Sequence, residues 1–384
     1  MLQLQSKLPS QGVTIFSIMT ELAHRLNALN LSQGFPDFPA PAALLDALNQ
    51  AILSGYNQYP AGDGVLALRE QLATQFLQRD QLQLDPATEI TITSGATIAI
   101  FCAIQACIHA EDEVIIFDPS YDSYAPAVQL AGGKSIHINL EAPSFQVDWQ
   151  KVKDSINART RMIIVNTPHN PTGAIWSEQD WRQLIELIQD KNIVVLSDEV
   201  YEHLVFDGQK HFSALQFPEL RDRSFVIGSF GKTYHVTGWK TGYCVASPQL
   251  MRLFRQIYQF ANFCGNMPCQ LALANYMQQH PEHIQELPHF YQAKRDLFNT
   301  QLQHSRFQFT PSQGTYFQNL DYSNIRPDLN DVEMCQFLAE QHKIVAIPIS
   351  VFYRQASESL RLIRFCFAKT DQTLQRAGEI LLQC

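Results

Sequence analysis

Six short apolar runs, separated by longer stretches of helical character, fill the middle of the chain. The runs are Ile90–Thr93, Val114–Phe117, Met162–Asn166, Ile193–Ser197, Phe225–Gly228 and Tyr243–Ala246. Short runs of this kind, rich in β-branched side chains, read as buried strands. Between them Thr97–His109, Ser123–Ala131, Glu178–Asp190 and Pro248–Asn262 read as helices. The alternation predicts an α/β fold with a mainly parallel sheet covered on both faces. A chain of 384 residues has room for one such unit and a smaller companion.

The two ends differ from the middle. A helix is predicted over Ile15–Asn27, before a Gly- and Pro-rich loop at Gln33–Pro39. After Pro288 a helix is predicted over Phe290–Leu302. Short strands and another helix follow, around Thr315–Asn319, Val332–His342 and Leu360–Phe367. These segments predict a small α+β domain made of both ends, residues 1–45 with 285–384. Residues 46–284 form the large domain. No repeat or low-complexity segment interrupts the chain.

Composition removes several functions. A net charge of −9 argues against a general binder of nucleic acid or of anionic membranes. The longest apolar stretch, Ile98–Ile108, contains Gln105 and is too short to span a bilayer. The opening Met1–Lys7 is polar and has no signal-peptide core, which predicts a cytoplasmic protein. The eight cysteines are scattered without a Cys-x-x-Cys pair, so neither a disulfide framework nor a structural zinc is expected. His280 and His283 flank a Pro-Glu pair without a His-Glu-x-x-His helix, and no metal site is expected.

In open α/β sheets ligands bind beyond the carboxyl ends of the strands, and here those ends are chemically rich. Ser94-Gly95-Ala96-Thr97 follows the first run; its small residues leave N–H groups free for an anion at a helix start, unless Ser94 or Thr97 merely caps that helix. Tyr121 follows the second run and can stack on a flat ring, or pack on the sheet. Asn166-Thr167-Pro168-His169-Asn170-Pro171 follows the third and presents amides from rigid turns. Asp198 follows the fourth, where a carboxylate is costly unless a cation meets it. Lys232 follows the fifth, with no acid close in sequence. Such an amine is either a solvated loop charge or a desolvated nucleophile. Gly231-Lys232-Thr233 resembles the end of a P-loop, but the glycine needed five positions before Gly231 is Val226. Together these ends offer an anion cradle, an aromatic plate, an amide, a carboxylate and a lysine. Pyridoxal phosphate needs each of these parts.

The motifs carry a resemblance across nearly the whole chain. They are Leu31–Asp37, Asn57-Gln58-Tyr59, Asp118–Tyr124, Asn170-Pro171-Thr172-Gly173, Asp198-Glu199-Val200-Tyr201, the Lys232 segment, Gly314-Thr315-Tyr316-Phe317 and Ile363–Lys369. In this order they resemble the class I/II aminotransferases of pyridoxal phosphate fold type I, in the branch acting on methionine, kynurenine and glutamine. The resemblance implies pyridoxal 5'-phosphate held as an aldimine of Lys232, with Asp198 on its ring nitrogen. It implies Tyr201 and Asn170 on the phenolic oxygen and Tyr121 against the ring. Gly95, Ala96, Thr97, Ser229 and Lys240 would hold the phosphate, with Tyr59 reaching in from the other subunit of a homodimer. Arg364 would hold the substrate carboxylate, helped by Asn170 and the backbone of Gly34. Arg361 lies three residues earlier, on the opposite face of a strand, and does not fit the motif. Two positions depart from the pattern: Ile98 where the branch commonly has Glu, and Lys240 where many relatives have arginine. A lysine keeps the charge but lacks the fork.

Aspartate-type enzymes of this fold use an arginine from the neighbouring subunit, whereas Gln256–Ala293 contains neither Arg nor Lys. It offers Phe260, Phe263 and Met267 instead, and Ile15, Phe16 and Tyr316 join the expected substrate pocket. The resemblance therefore implies ping-pong transamination of methionine and aromatic amino acids with a 2-oxo acid acceptor. A kynurenine/glutamine-type aminotransferase and a cysteine-conjugate β-lyase use the same residues. The effector-binding domain of a regulator would need a DNA-reading unit ahead of it, for which the short N-terminus leaves no room.

Overall fold

The structure is a computed structural model that describes residues 4–9 and 12–384. Met1–Gln3 of the polar opening lie outside the described residues, as do Ser10 and Gln11. In chain order the strands are β1 (Leu29–Asn30), β2 (Ile90–Thr93), β3 (Glu113–Asp118), β4 (Lys134–Asn139), β5 (Thr160–Asn166), β6 (Val194–Asp198), β7 (Ser224–Ser229), β8 (Gly242–Ala246), β9 (Phe317–Asp321), β10 (Ile344–Val345), β11 (Ile347–Pro348) and β12 (Leu362–Cys366). β2 to β8 form a seven-stranded sheet in the order β2-β8-β7-β6-β5-β3-β4. All pairs are parallel except those of β8, which runs antiparallel between β2 and β7.

Side chains on the central strands alternate between two buried layers. Ile115, Ile163, Val195 and Val226 face one apolar cluster. Val114, Ile116, Met162, Ile164, Leu196 and Phe225 face another, beneath the helices Ala96–Cys107 and Pro248–Ala261. Burial on both faces explains why these strands read as continuous apolar runs. β4 escaped the sequence reading because Lys134-Ser135-Ile136-His137-Ile138-Asn139 alternates polar and apolar residues at the sheet edge.

A third apolar cluster gathers both chain ends around β9, β11 and β12, drawing Met19, Leu22, Phe298, Phe365 and Leu374 together. Its longest helix runs over Glu282–Leu302 and contains Pro288. The helix expected to begin after Pro288 thus starts earlier. Pro288 forfeits one backbone bond, while Leu287 and Tyr291 on either side bury fully in the cluster and hold the helix through it. Among the described residues no helix is long and apolar enough to cross a membrane.

Candidate active site

The carboxyl ends of β2, β3, β5, β6 and β7 lie along one edge of the sheet. Antiparallel β8 begins at that same edge, with Thr93 and Ser229 both paired to Gly242. Residues just before β8 therefore meet residues just after its parallel neighbours. A cleft of about 270 Å³ opens there, lined by Lys232, Asp198, Asn170, Tyr121, Lys240 and Arg364 among others.

Lys232 sits on the short helix Phe230–Thr233, directly after β7. Its Nζ donates to the Tyr316 hydroxyl at 2.7 Å and to the Gly34 carbonyl at 3.1 Å. The same carbonyl accepts from the Tyr316 hydroxyl. No carboxylate pairs with the amine among the described residues. Burial is the main force on its titration, and it brings the pKa from 10.5 down to about 8. The amine is thus readily available in its neutral, nucleophilic form.

Asp198 ends β6 and is 4% exposed. Burial raises its pKa to about 6, opposed by hydrogen bonds from the Tyr124 hydroxyl and the Val200 N–H. Tyr124 donates to Oδ2 at 2.5 Å and Val200 to Oδ1 at 3.3 Å. A carboxylate placed this way awaits a cation. Asn166, at the end of β5, donates from Nδ2 to the Asp198 carbonyl at 2.8 Å and accepts the Asn170 N–H at 2.9 Å. Asn166 therefore ties the carboxylate turn to the Asn170 turn.

Gly95 precedes the helix Ala96–Cys107 with φ 90, in the left-handed region, and no side chain caps that helix. The ordinary cap considered from sequence is absent: the N-cap position is Gly95, and the Ser94 hydroxyl accepts from Asn262. A Cβ on Gly95 would lie 3.4 Å from Lys240 Nζ, so the amine borders the open helix end. Free N–H groups, the helix dipole and an ammonium converge there, as an anion site requires. Tyr121 borders the same corner, its hydroxyl 3.3 Å from Thr97 Oγ1.

Arg364 is 1% exposed on β12 and has no ion-pair partner among the described residues. Nη1 donates to Asn170 Oδ1 at 2.7 Å and Nη2 to the Ser32 carbonyl at 3.3 Å, while Nε has no partner. Its guanidinium carbon lies 3.9 Å from the centre of the Phe317 ring, with Phe352 and Phe16 at 5.2 and 5.6 Å. Burial lowers its pKa to about 10. A buried arginine without an anion is costly, and an aromatic cage plus one free N–H suits a bound carboxylate.

These observations describe a cleft with one nucleophilic amine, one cation-seeking carboxylate and two anion sites. The model of the family described as aminotransferase class I and II matches residues 27–381. The chain belongs to this family. It is 47% identical over 379 residues to the methionine aminotransferase of Escherichia coli (strain K12), covering 99% of this chain and 98% of that protein. The kynurenine–oxoglutarate transaminase 3 of Homo sapiens is 33% identical over 390 residues, covering 94% of this chain and 86% of that protein. The solved structure of YbdL from Escherichia coli, described with a methionine aminotransferase function, matches with a TM-score of 0.97 at 47% identity and 100% coverage of both chains. This aminotransferase has the pyridoxal phosphate fold type I architecture.

Most residues singled out in the sequence meet at this cleft: Gly34, Phe16, Gly95, Ala96, Thr97, Tyr121, Asn170, Asp198, Tyr201, Ser229, Lys232, Lys240 and Arg364 line it. Tyr316 joins through its hydroxyl on Lys232. Ile15, Tyr59, Phe260, Phe263 and Met267 do not line the cleft of their own chain. Ile15 packs against the small apolar cluster. Phe263, at φ 72, stands 51% exposed with its ring 5.4 Å from that of Tyr59, itself 80% exposed. Tyr124 and Asn166 received no role from the sequence, although both stood in quoted strand-end segments. Tyr124 meets Asp198 across 74 positions, and Asn166 reaches Asp198 across 32 while also holding nearby Asn170.

Behind the aminotransferase cleft Glu199, Glu202 and His211 bring possible metal-ligand atoms within 4.8 Å of one another. Their acidic oxygens are already engaged. Glu199 accepts from Ser197, Ala214 and His211, and Glu202 from Arg79 and Tyr243. The carboxylates of the cluster are held in a hydrogen-bond network, and His211 Nδ1 has no partner among the described residues.

Proposed function

We propose that this aminotransferase uses pyridoxal 5'-phosphate to convert methionine and aromatic amino acids to their 2-oxo acids, with a 2-oxo acid as acceptor. The observation that carries the reading is Arg364, a buried guanidinium with no anion, within one cleft of a lysine whose pKa falls to about 8. The residues present fit the cofactor. The uncapped helix end at Gly95-Ala96-Thr97, with Ser229 and Lys240, suits its phosphate. Asp198 suits a protonated ring nitrogen, Tyr121 a ring face, and Asn170 with Tyr201 a phenolic oxygen. When bound, the cofactor supplies an electron sink for the bond pair left at the substrate α-carbon.

The chain's own groups do the rest. Arg364 and Asn170 orient the substrate by its carboxylate, with the Gly34 backbone alongside. Phe16 and Phe317 shield that corner from water. Lys232 Nζ first acts as a nucleophile and then takes the proton from the α-carbon. Tyr316 and the Gly34 carbonyl hold that amine at one end of its travel. One amino acid enters and its 2-oxo acid leaves before the acceptor reverses the path, which gives ping-pong kinetics.

The same reading extends to assembly. Phe260 is 87% exposed, and Tyr59 with Phe263 forms an aromatic pair that its own cleft does not use. In a homodimer these side chains would complete the partner's cleft, with Tyr59 on the phosphate and Phe263 on the substrate side chain. We retain residues 46–284 and residues 1–45 with 285–384 as the two domains; the gathering of both ends in one apolar cluster supports that division. Eight free cysteines support a cytoplasmic setting.

The test measures 2-oxo acid release from methionine and from aspartate at equal concentration, with wild type and Lys232→Ala. Methionine is expected to turn over faster and the variant to be inactive. Faster aspartate turnover sinks the substrate assignment, and an active variant sinks the mechanism.

A further inference from the structure

We propose that a second cavity, behind the catalytic carboxylate, binds a planar aromatic carboxylate. The cavity holds about 600 Å³, within the range of small-molecule sites. Aromatic side chains share its lining with amides such as Gln146, Gln209 and Gln313, and Trp181 backs the wall from behind. Trp176 meets Phe117, Trp149 and Trp181 edge-on, with ring centres 5.8, 5.4 and 4.9 Å apart. Such edge-to-face contacts fix the rings before any ligand arrives.

Two further features point to a ligand. Phe145 joins the wall from a left-handed backbone, φ 50, while only 8% exposed. A non-glycine residue held there costs about 1–2 kcal/mol, and such strain concentrates at ligand clamps. The charge balance is also one-sided. Asp180 is taken up by the Ser177 N–H and hydroxyl, at 2.8 and 2.6 Å. Lys210 stands exposed at the rim, 5.0 Å from the centre of the Phe212 ring, and pairs with no carboxylate among the described residues. A flat ring against Trp149, Trp176 and Phe212, with one carboxylate toward Lys210, fits this lining and its charge.

The cavity shares a wall with the cleft. Asn166 lines both, and Tyr124 lines the cavity while its hydroxyl holds Asp198. An occupant would therefore press on the groups that set the catalytic carboxylate, without competing for Arg364.

The experiment is calorimetric titration of the full-length protein with indole-3-acetate as probe. Wild type is expected to show two sites, the cleft and the cavity, and Arg364→Ala, which removes the carboxylate anchor of the cleft, to keep the cavity site alone; the further variants are made in that background. Ala174→Phe, which fills the cavity, should weaken binding at least about tenfold. Lys210→Glu should weaken it roughly threefold, and as a surface change it keeps the test valid if the filled variant fails to fold. Complete loss of binding in Arg364→Ala places the probe in the cleft alone and overturns the proposal. So does an absence of heat in wild type, or affinity unchanged in Lys210→Glu.

Discussion

The Tyr124 hydroxyl lies 2.5 Å from Asp198 Oδ2, and both side chains are buried. Six residues after β3, a phenol thus sets the charge of a carboxylate that ends β6. Burial alone favours a protonated Asp198, and this hydrogen bond opposes it.

Tyr124→Phe removes that opposition. The Asp198 pKa, already about 6, should rise further. Affinity of the apoprotein for pyridoxal phosphate should then fall off at higher pH than in wild type. For a rise of about one pKa unit the difference should be about fivefold at pH 6 and approach about tenfold at lower pH. Absorbance titrations between pH 5 and 8 read this directly, and superimposable curves would remove Tyr124 from the site. Stability of the apoprotein runs the opposite way with pH. From the ordinary carboxylate range up to about 6, folded Asp198 keeps a proton that the unfolded chain has lost. Its contribution to apoprotein stability therefore falls as pH rises through that window.

Arg364→Lys keeps a positive charge but loses both the fork and the face-on contact with Phe317, now at 3.9 Å. The KM for the amino acid should rise about 100-fold, the worth of one or two charge-assisted hydrogen bonds, with a smaller fall in kcat. An unchanged KM would mean that another group holds the substrate carboxylate.

Gly95→Ala places a Cβ 3.3 Å from Lys240 Cε at a backbone φ of 90. The left-handed strain costs about 1–2 kcal/mol, and the cofactor should bind roughly tenfold more weakly. Ser94→Ala should have little effect on that affinity, because its hydroxyl serves Asn262 rather than the helix end. Equilibrium dialysis of both variants separates the two positions.

Arg79→Met should cost about 3–5 kcal/mol in urea unfolding, because Glu202 would stay buried without its counterion. Burial would raise the Glu202 pKa, yet Arg79, His203 and the Tyr243 hydroxyl overcome it and hold it at about 2. That stabilisation is present above the ordinary glutamate pKa and is lost as pH falls through about 2. The cost of Arg79→Met should therefore shrink with acidification, and Glu202→Gln in the same chain should recover part of it at neutral pH. A cost below ~1 kcal/mol would contradict the buried pair.

The sequence exposed those parts of the site that sit at strand ends. Lys232, Asp198, Asn170, Tyr121 and Gly95 each follow an apolar run, so local pattern places them on one edge. What it could not expose depends on partners far along the chain. The antiparallel setting of β8 between β2 and β7 leaves no local trace, although it carries Lys240 to Gly95. Tyr124 meets Asp198 across 74 positions, and only the folded sheet supplies that register. The helices Ala42–Leu53, Leu66–Asp80 and Met267–Gln279 lay outside the strand–helix alternation on which the sequence reading rested. Pro288 read as a boundary because proline preferences are local, whereas the burial of Leu287 and Tyr291 is tertiary.

The position of β8 also orders events during synthesis. Gly242 pairs at once with Thr93 and Ser229, so the phosphate corner closes only when this late strand slots between two earlier ones. Long-range closure of this kind is slow. A nascent chain ending before Ala246 has Lys232, Asp198 and Gly95 but no finished corner. Completion of the sheet and closure of this corner are thus one event.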